Sequence, residues 1–312
     1  MKKSKKRRIL IIIAAVLFVL VVGLGFASNY MFNYAFVRED KSFIKSGSSQ
    51  ALKKDQAWLK KYPKQIWYEQ SAQGKLKLEA AFVPAAKQTN KTIVVFHGYT
   101  KNKEHMADYI RMFHNNGYNV LAPDARASGA SEGKIIGYGW PDHYDDLLWI
   151  KRLIKKTGKS NAQIGLFGVS MGGATVMFLA GEKLPRQVKV LIEDCGYSSI
   201  NSELSYQLNQ MFHLPSFPLI PSVNLETRLR GGYNFNDGDS IAQLKKNKLP
   251  ILFIHGSKDT FVPTKMVYDN YQATSAPKQL LVVKGASHAG SFEKKRIKYQ
   301  KTVVNFLNKY LP

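Results

Sequence analysis

Cysteine is nearly absent from this chain of 312 residues: Cys195 is the only one. A single thiol excludes any disulfide within the chain, and its distance from the amino terminus excludes a lipid-modified amino-terminal cysteine. It closes the apolar run "VLIEDC", where core packing explains it better than reactivity. Acidic residues are also scarce, 22 against 46 Lys and Arg, for a formal charge of +24. The basic residues are scattered through "KKDQAWLKKYPK", "KRLIKKTGK" and "EKKRIKYQK" instead of being gathered with aromatics in one patch. Nucleic acid is therefore not an expected partner. Such a surface suits an anionic membrane or anionic envelope polymers. An internal repeat is missing, which excludes a solenoid. Missing too are His-Glu-x-x-His and a Gly-rich loop ending in Gly-Lys-Ser/Thr, so neither a metal nor another cofactor is expected.

What is present begins with "MKKSKKRR", six basic residues in the first eight, followed by an uncharged apolar run over residues 9–27. As a helix at about 1.5 Å per residue this run would be roughly 28 Å long, close to the hydrocarbon thickness of a bilayer. With Lys and Arg on the amino side only, residues 1–8 should stay cytoplasmic and the rest of the chain should lie outside the cell membrane. Gly25-Phe26-Ala27 could serve as a cleavage site and release a secreted protein. The run is long for a signal peptide, so a single-pass anchor is the favoured reading. Residues 28–65 are expected to form a stalk followed by a short helix, "ALKKDQAWLKKY", that Pro63 ends.

Beyond residue 66 the pattern changes. "IWYEQSAQGKLKLEAAFVPA" alternates on either side of Gln73-Gly74 and reads as a hairpin. Continuous apolar runs then alternate with helical patterns: "TIVVFHG", "YNVLAPDAR", "AQIGLFGVS", "VKVLIEDCG", "PILFIHGSKD" and "KQLLVVKGASH". Strands of that kind are buried on both faces, so the fold class is α/β: a mostly parallel central sheet with helices on both sides. Ligands gather at the carboxyl ends of such strands, where His97, Asp124, Ser170, Asp194, Asp259 and His288 fall. Residues 199–240 are too long for a connection and too apolar for disorder, and are expected to form a cap over that end. Met211, Phe212, Leu214, Phe217, Leu219 and Ile220 would either line an apolar pocket there or simply pack the cap onto the core.

The stretch with the most chemistry is "GVSMG", where a buried strand meets a helical pattern with Ser170 between glycines. A serine on such a turn stands above the sheet, and the following helix points free N–H groups at it. Its hydroxyl needs a general base oriented by a carboxylate. Asp259 and His288 each follow a later strand, in the chain order Ser, Asp, His expected for this topology. Asp194 is the rival acid, and His97 and His255 are expected to make structural hydrogen bonds. The oxyanion donors should be the backbone N–H groups of Met171 and Tyr99, with that of Thr100 as the alternative to Tyr99.

The turns "FHGYT", "PDARASGASEG", "GVSMGG", "IHGSKDTFVP" and "GASH" resemble those of the α/β-hydrolase family over roughly residues 66–311. Within it the chain is most similar to capped serine esterases and serine-aminopeptidase-like hydrolases. The resemblance implies Ser170 as nucleophile, Asp259 as acid and His288 as base. Cleavage of a small-molecule acyl ester is then the first expectation, peptide or amide cleavage the second, and a non-catalytic binding protein the third. One turn departs from the relatives' Arg-Gly: here it is Arg126-Ala127.

Overall fold

In the computed structural model, which describes residues 2–38, 49–157 and 159–311, the first element is a helix longer than the apolar run. Helix α1 spans Lys2–Phe36 without a break at Ala27. Residues 28–36, where a stalk is expected, are its last turns, and they dock on the body of the protein. Ser28, Phe32 and Phe36 lie four apart on one face and are all buried. The rest of the expected stalk up to residue 48 lies outside the described residues, apart from Val37 and Arg38. Ser49 then caps α2, Gln50–Lys61, by accepting from the Leu52 N–H.

The hairpin β1, Gln65–Gln70, and β2, Lys77–Val83, turns at Gly74 as the alternation suggests. Strand β3, Lys91–Phe96, leads through a 3-10 turn, Lys103–Met106, to α3, Ala107–Asn115. Next come β4, Asn119–Pro123, and α4, Trp140–Thr157. Strand β5, Gln163–Val169, runs directly into α5, Met171–Ala180, and β6, Val188–Asp194, follows. The cap region holds α6, Ile200–Phe212, and α7, Leu219–Glu226, and returns through α8, Ser240–Leu244. The last part is β7, Ile251–Gly256; α9, Lys265–Ala273; β8, Lys278–Val283; α10, Ser291–Lys294; and α11, Arg296–Tyr310. Lys295, whose backbone is not helical, separates the last two helices.

The eight strands form one sheet in the order β1-β2-β4-β3-β5-β6-β7-β8. The hairpin is antiparallel at one edge and every pairing from β4 onward is parallel. Parallel strands need crossovers, and the helices of those crossovers cover both faces. Two apolar clusters result. One packs α4, α5 and α9 with the cap and the end of α1; the other packs α3 and α11. Buried charges outside the cap hold turns. Arg126 makes a bidentate pair with Asp145, at 2.7 and 2.8 Å, and Lys103 pairs with Asp124 and Glu79. The Arg126-Ala127 departure has a visible consequence: Ala127 has φ 58°, a left-handed conformation that glycine adopts more easily.

Several buried carboxyls set how stability follows pH. Burial pushes Glu193 and Glu203 up to about 8 from an ordinary 4.5. Each binds its proton more tightly folded than unfolded. Their stabilising contribution is therefore full below about 4.5 and is lost as pH rises toward 8. His255, with its pKa raised, acts in the same direction. His97, His105 and His143, with pKa values lowered mainly by burial, oppose it only below their ordinary 6.5. The midpoint Tm should consequently fall as pH is raised from 6.5 to 8 in a calorimetric series, and Glu193→Gln should flatten that fall. A Tm that rises over this interval would contradict the assignment.

Candidate active site

Ser170 occupies the junction of β5 and α5 with φ 58° and ψ −117°, a strained conformation for a residue with a side chain. The two glycines around it are there for space. A Cβ on Gly168 would lie 2.0 Å from the Gly172 carbonyl oxygen, and one on Gly172 would lie 2.2 Å from the Phe96 carbonyl oxygen. Strand, elbow and helix are in backbone contact, and neither position could carry a methyl group without moving them. The elbow is pinned by the Ser170 N–H, which donates to the Asp194 carbonyl at 2.8 Å.

The ends of β7 and β8 bring Asp259 and His288 to this serine. His288 Nε2 is 2.9 Å from Ser170 Oγ, and His288 Nδ1 is 2.8 Å from Asp259 Oδ2. A carboxylate only accepts, so Nδ1 carries the hydrogen and Nε2 presents a lone pair to the hydroxyl. Asp259 is itself held: its Oδ1 accepts from the N–H groups of Phe261 and Val262, both at 2.9 Å. Burial alone would raise its pKa, but the hydrogen bonds to His255 and His288 outweigh burial and hold it at about 2. The Phe261 ring packs on the His288 imidazole, with centroids 4.9 Å apart.

Tyr99 and Met171 flank the serine from two sides. Met171 opens α5, so its N–H is among those at the helix start. The β3 loop passes close by: a Cβ on Gly98 would stand 3.4 Å from Ser170 Cβ. Tyr99 therefore follows a residue that lies close to Ser170, and Thr100 beside it has φ 58°. Its side chain does something sequence reasoning missed. The Tyr99 hydroxyl donates to the Ala35 carbonyl at 2.6 Å, as does that of Tyr138 at 3.1 Å. Tyr99, on the loop beside Ser170, thus helps cap the last turn of α1.

The competitors are engaged elsewhere. Asp194 is fully buried, accepts from the Tyr299 hydroxyl at 2.8 Å, and is pushed up to about 6, mainly by burial. His97 Nδ1 donates to the Gly98 carbonyl and Nε2 accepts from the Ala125 N–H, so it is a structural histidine. His255 does more than expected. Its Nε2 donates to the Val262 carbonyl at 2.9 Å while lying 3.3 Å from Asp259 Oδ2. It thereby touches the acid's outer oxygen, and its place four residues before Asp259 was the available signal. Cys195, Asp259 and His288 offer ligand atoms within 4.8 Å of one another. Burial pushes the Cys195 thiol well up, and Nδ1 is taken by Asp259, so the donor set suits a metal poorly.

Two cavities meet at Ser170. A narrow apolar one of about 90 Å³ lies between the cap and the end of α1. Met211, Phe212, Leu219 and Ile220 line it, whereas Leu214 and Phe217 stay exposed outside it. The other, of about 410 Å³, is more polar and includes Lys101, His105, Asp108, Glu293 and Arg296.

The comparisons with known proteins bear on the fold and the family that carry this cluster of Ser170, Asp259 and His288. A family model described as serine aminopeptidase, S33, matches residues 87–247. The chain belongs to this family of α/β-hydrolases. The match ends before Asp259 and His288. The uncharacterized protein YqkD of Bacillus subtilis (strain 168) is 34% identical over 224 residues, 72% of this chain and 73% of that one. Among solved structures, the Pyrococcus furiosus esterase Pf2001 superposes with a TM-score of 0.66 at 21% identity, covering 83% of this chain and 95% of the esterase. The Pyrococcus horikoshii acylaminoacyl peptidase does so with a TM-score of 0.60 at 20% identity, over 82% of this chain and 43% of the peptidase. Both likenesses are of fold.

Proposed function

We propose that this S33-family hydrolase is a membrane-anchored serine esterase whose catalytic triad is Ser170, His288 and Asp259. The observation that carries the reading is the line Asp259–His288–Ser170 at 2.8 and 2.9 Å, opening on an apolar cavity. His288 takes the Ser170 proton as Oγ attacks the acyl carbonyl, and the N–H groups of Tyr99 and Met171 hold the oxyanion. Each such donor contributes on the order of 3 kcal/mol in the transition state. Collapse returns the proton to the departing alcohol. Water, deprotonated by His288, then attacks the acyl-enzyme and frees the acid and Ser170. The chain's own side chains suffice for both halves.

Ester is favoured over peptide by the cap's carboxylates. An aminopeptidase-like site would hold a free amine between two charged carboxylates. Glu203 borders the cavity, but burial pushes it up to about 8, leaving it mostly uncharged at neutral pH. Glu226 is spent on Arg230 at 3.2 Å. With p-nitrophenyl esters of increasing acyl length beside an aminoacyl p-nitroanilide, ester turnover should dominate. Glu203→Gln should keep ester kcat/KM within about threefold, since a neutral group replaces a neutral one. Dominant anilide turnover that Glu203→Gln abolishes would make the protein a peptidase.

The anchor reading is supported by the helix itself. Its apolar part is exposed along the whole window long enough to cross a bilayer, and the helix runs unbroken through Gly25, Phe26 and Ala27. With the basic residues on the amino side, the hydrolase domain would face away from the cytoplasm.

A further inference from the structure

We infer that the natural substrate is an acyl ester embedded in the bilayer that α1 crosses, drawn into the site at the seam between α1 and the cap. The inference rests on the esterase and anchor readings above and adds the substrate class. Its first support is continuity. The helix that carries the membrane-spanning residues also supplies a wall of the apolar cavity, through Met31, Tyr34, Ala35 and Phe36. No linker separates the anchor from the pocket.

The second support is distance. The cap grips α1 at positions just past the apolar run. Arg230 donates to Asn29 and Asn33 and lies over the Phe32 ring at 4.1 Å, and Phe212 meets the Tyr34 ring edge-on at 5.4 Å. At about 1.5 Å per residue these contacts fall roughly 3 to 10 Å beyond Ala27, the depth of the headgroup layer. The cap is thus held against the membrane surface. Tyr30 and Phe26, exposed on α1, are the aromatic residues such a boundary attracts.

The third support is what the cap leaves exposed. Phe217 and Leu229 are each 77% exposed, Leu225 is 57% exposed, and Leu229 adjoins the Arg230 that grips α1. In water these side chains would be a liability; against lipid they are an anchor surface. Finally, the site is two-sided. Ser170 stands between the apolar cavity and the polar one holding Lys101, His105 and Arg296, which matches an acyl chain on one side and a polar alcohol on the other.

The test uses the full-length protein reconstituted in vesicles of phosphatidylcholine and phosphatidylglycerol, with monooleoylglycerol as the embedded ester and p-nitrophenyl acetate as the soluble one. Phe217→Glu and Leu229→Glu lie outside the cavity lining, and each places a charge where lipid is expected. Each should lower hydrolysis of the embedded ester about tenfold or more. Each should leave p-nitrophenyl acetate turnover within about twofold. Wild-type protein that cleaves p-nitrophenyl acetate but ignores the embedded ester overturns the inference and leaves the esterase reading intact. So does equal turnover of the embedded ester by wild type and both variants, or a loss of both activities in both variants. Wild-type protein inert toward both esters brings down the esterase reading itself, and the inference with it.

Discussion

Replacing Ser170 by alanine is expected to lower ester kcat by about 10⁴- to 10⁶-fold while leaving the fold and its Tm nearly unchanged. The magnitude follows from what the hydroxyl does in the proposed mechanism. It is the atom that becomes bonded to the acyl group, and it is the hydrogen-bond partner of His288 Nε2 among the described residues. What remains is oxyanion stabilisation and binding, which by themselves retain only about 10³- to 10⁴-fold over water. The structural effect should be small for a specific reason. The strain at this position comes from a Cβ at φ 58°, and alanine keeps that Cβ. The Ser170 N–H still donates to the Asp194 carbonyl, so the elbow keeps its anchor. The loss is one hydrogen bond, to His288, worth about 1 kcal/mol. Steady-state kinetics with p-nitrophenyl esters, a melting curve and labelling by a fluorophosphonate would check all three points. Turnover within about tenfold of wild type would remove Ser170 from its role.

Much of this arrangement was legible in the sequence because the central strands are buried on both faces. Their apolar runs are continuous, so the strand ends can be located: Ser170 follows β5 directly, and Asp259 and His288 lie on the loops after β7 and β8, in the chain order Ser, Asp, His. The loop residue Tyr99 and the helix start Met171 follow from the same topology. What the sequence concealed was partnership. Residues 28–36, "SNYMFNYAF", mix polar and aromatic types and read as a stalk once the apolar run ends. Their buried face, Ser28, Phe32 and Phe36, has helical spacing, but its partners Tyr138 and Phe235 are more than 100 residues away. No local pattern announces them. The cap reads as an insertion in the sequence, but none of its six singled-out apolar residues can be assigned to a side there. Met211, Phe212, Leu219 and Ile220 turned inward; Leu214 and Phe217 turned out, and only the position of α1 gives that division a meaning. His255 shows the same limit: its position at a strand end suggests a structural hydrogen bond, but its contact with Asp259 depends on how the β7 loop folds back.

The contrast between the two candidate acids gives the second large effect. Asp259→Asn is expected to lower kcat by about 10⁴-fold, and Asp194→Asn by less than about tenfold. The reason lies in which oxygen each partner uses. Asp259 Oδ1 accepts two backbone N–H groups, so in the variant the amide oxygen must take that side. The amide NH₂ then faces His288 Nδ1 and donates to it. Nδ1 becomes the acceptor, the ring hydrogen moves to Nε2, and the atom facing Ser170 Oγ becomes a donor that cannot take a proton. The same NH₂ meets the hydrogen on His255 Nε2, which already donates to Val262, so the variant should also lose some stability. Asp194 faces no such inversion. Its Oδ2 accepts from the Tyr299 hydroxyl, a bond that an amide oxygen can keep, and burial already pushes its carboxyl up to about 6. Its tie to the elbow runs through its backbone carbonyl, which the substitution leaves alone. Measured side by side on one soluble ester, the two variants should differ by about three orders of magnitude in kcat. Equal losses would mean that Asp259 merely supports the loop, and the reverse order would give the acid's role to Asp194.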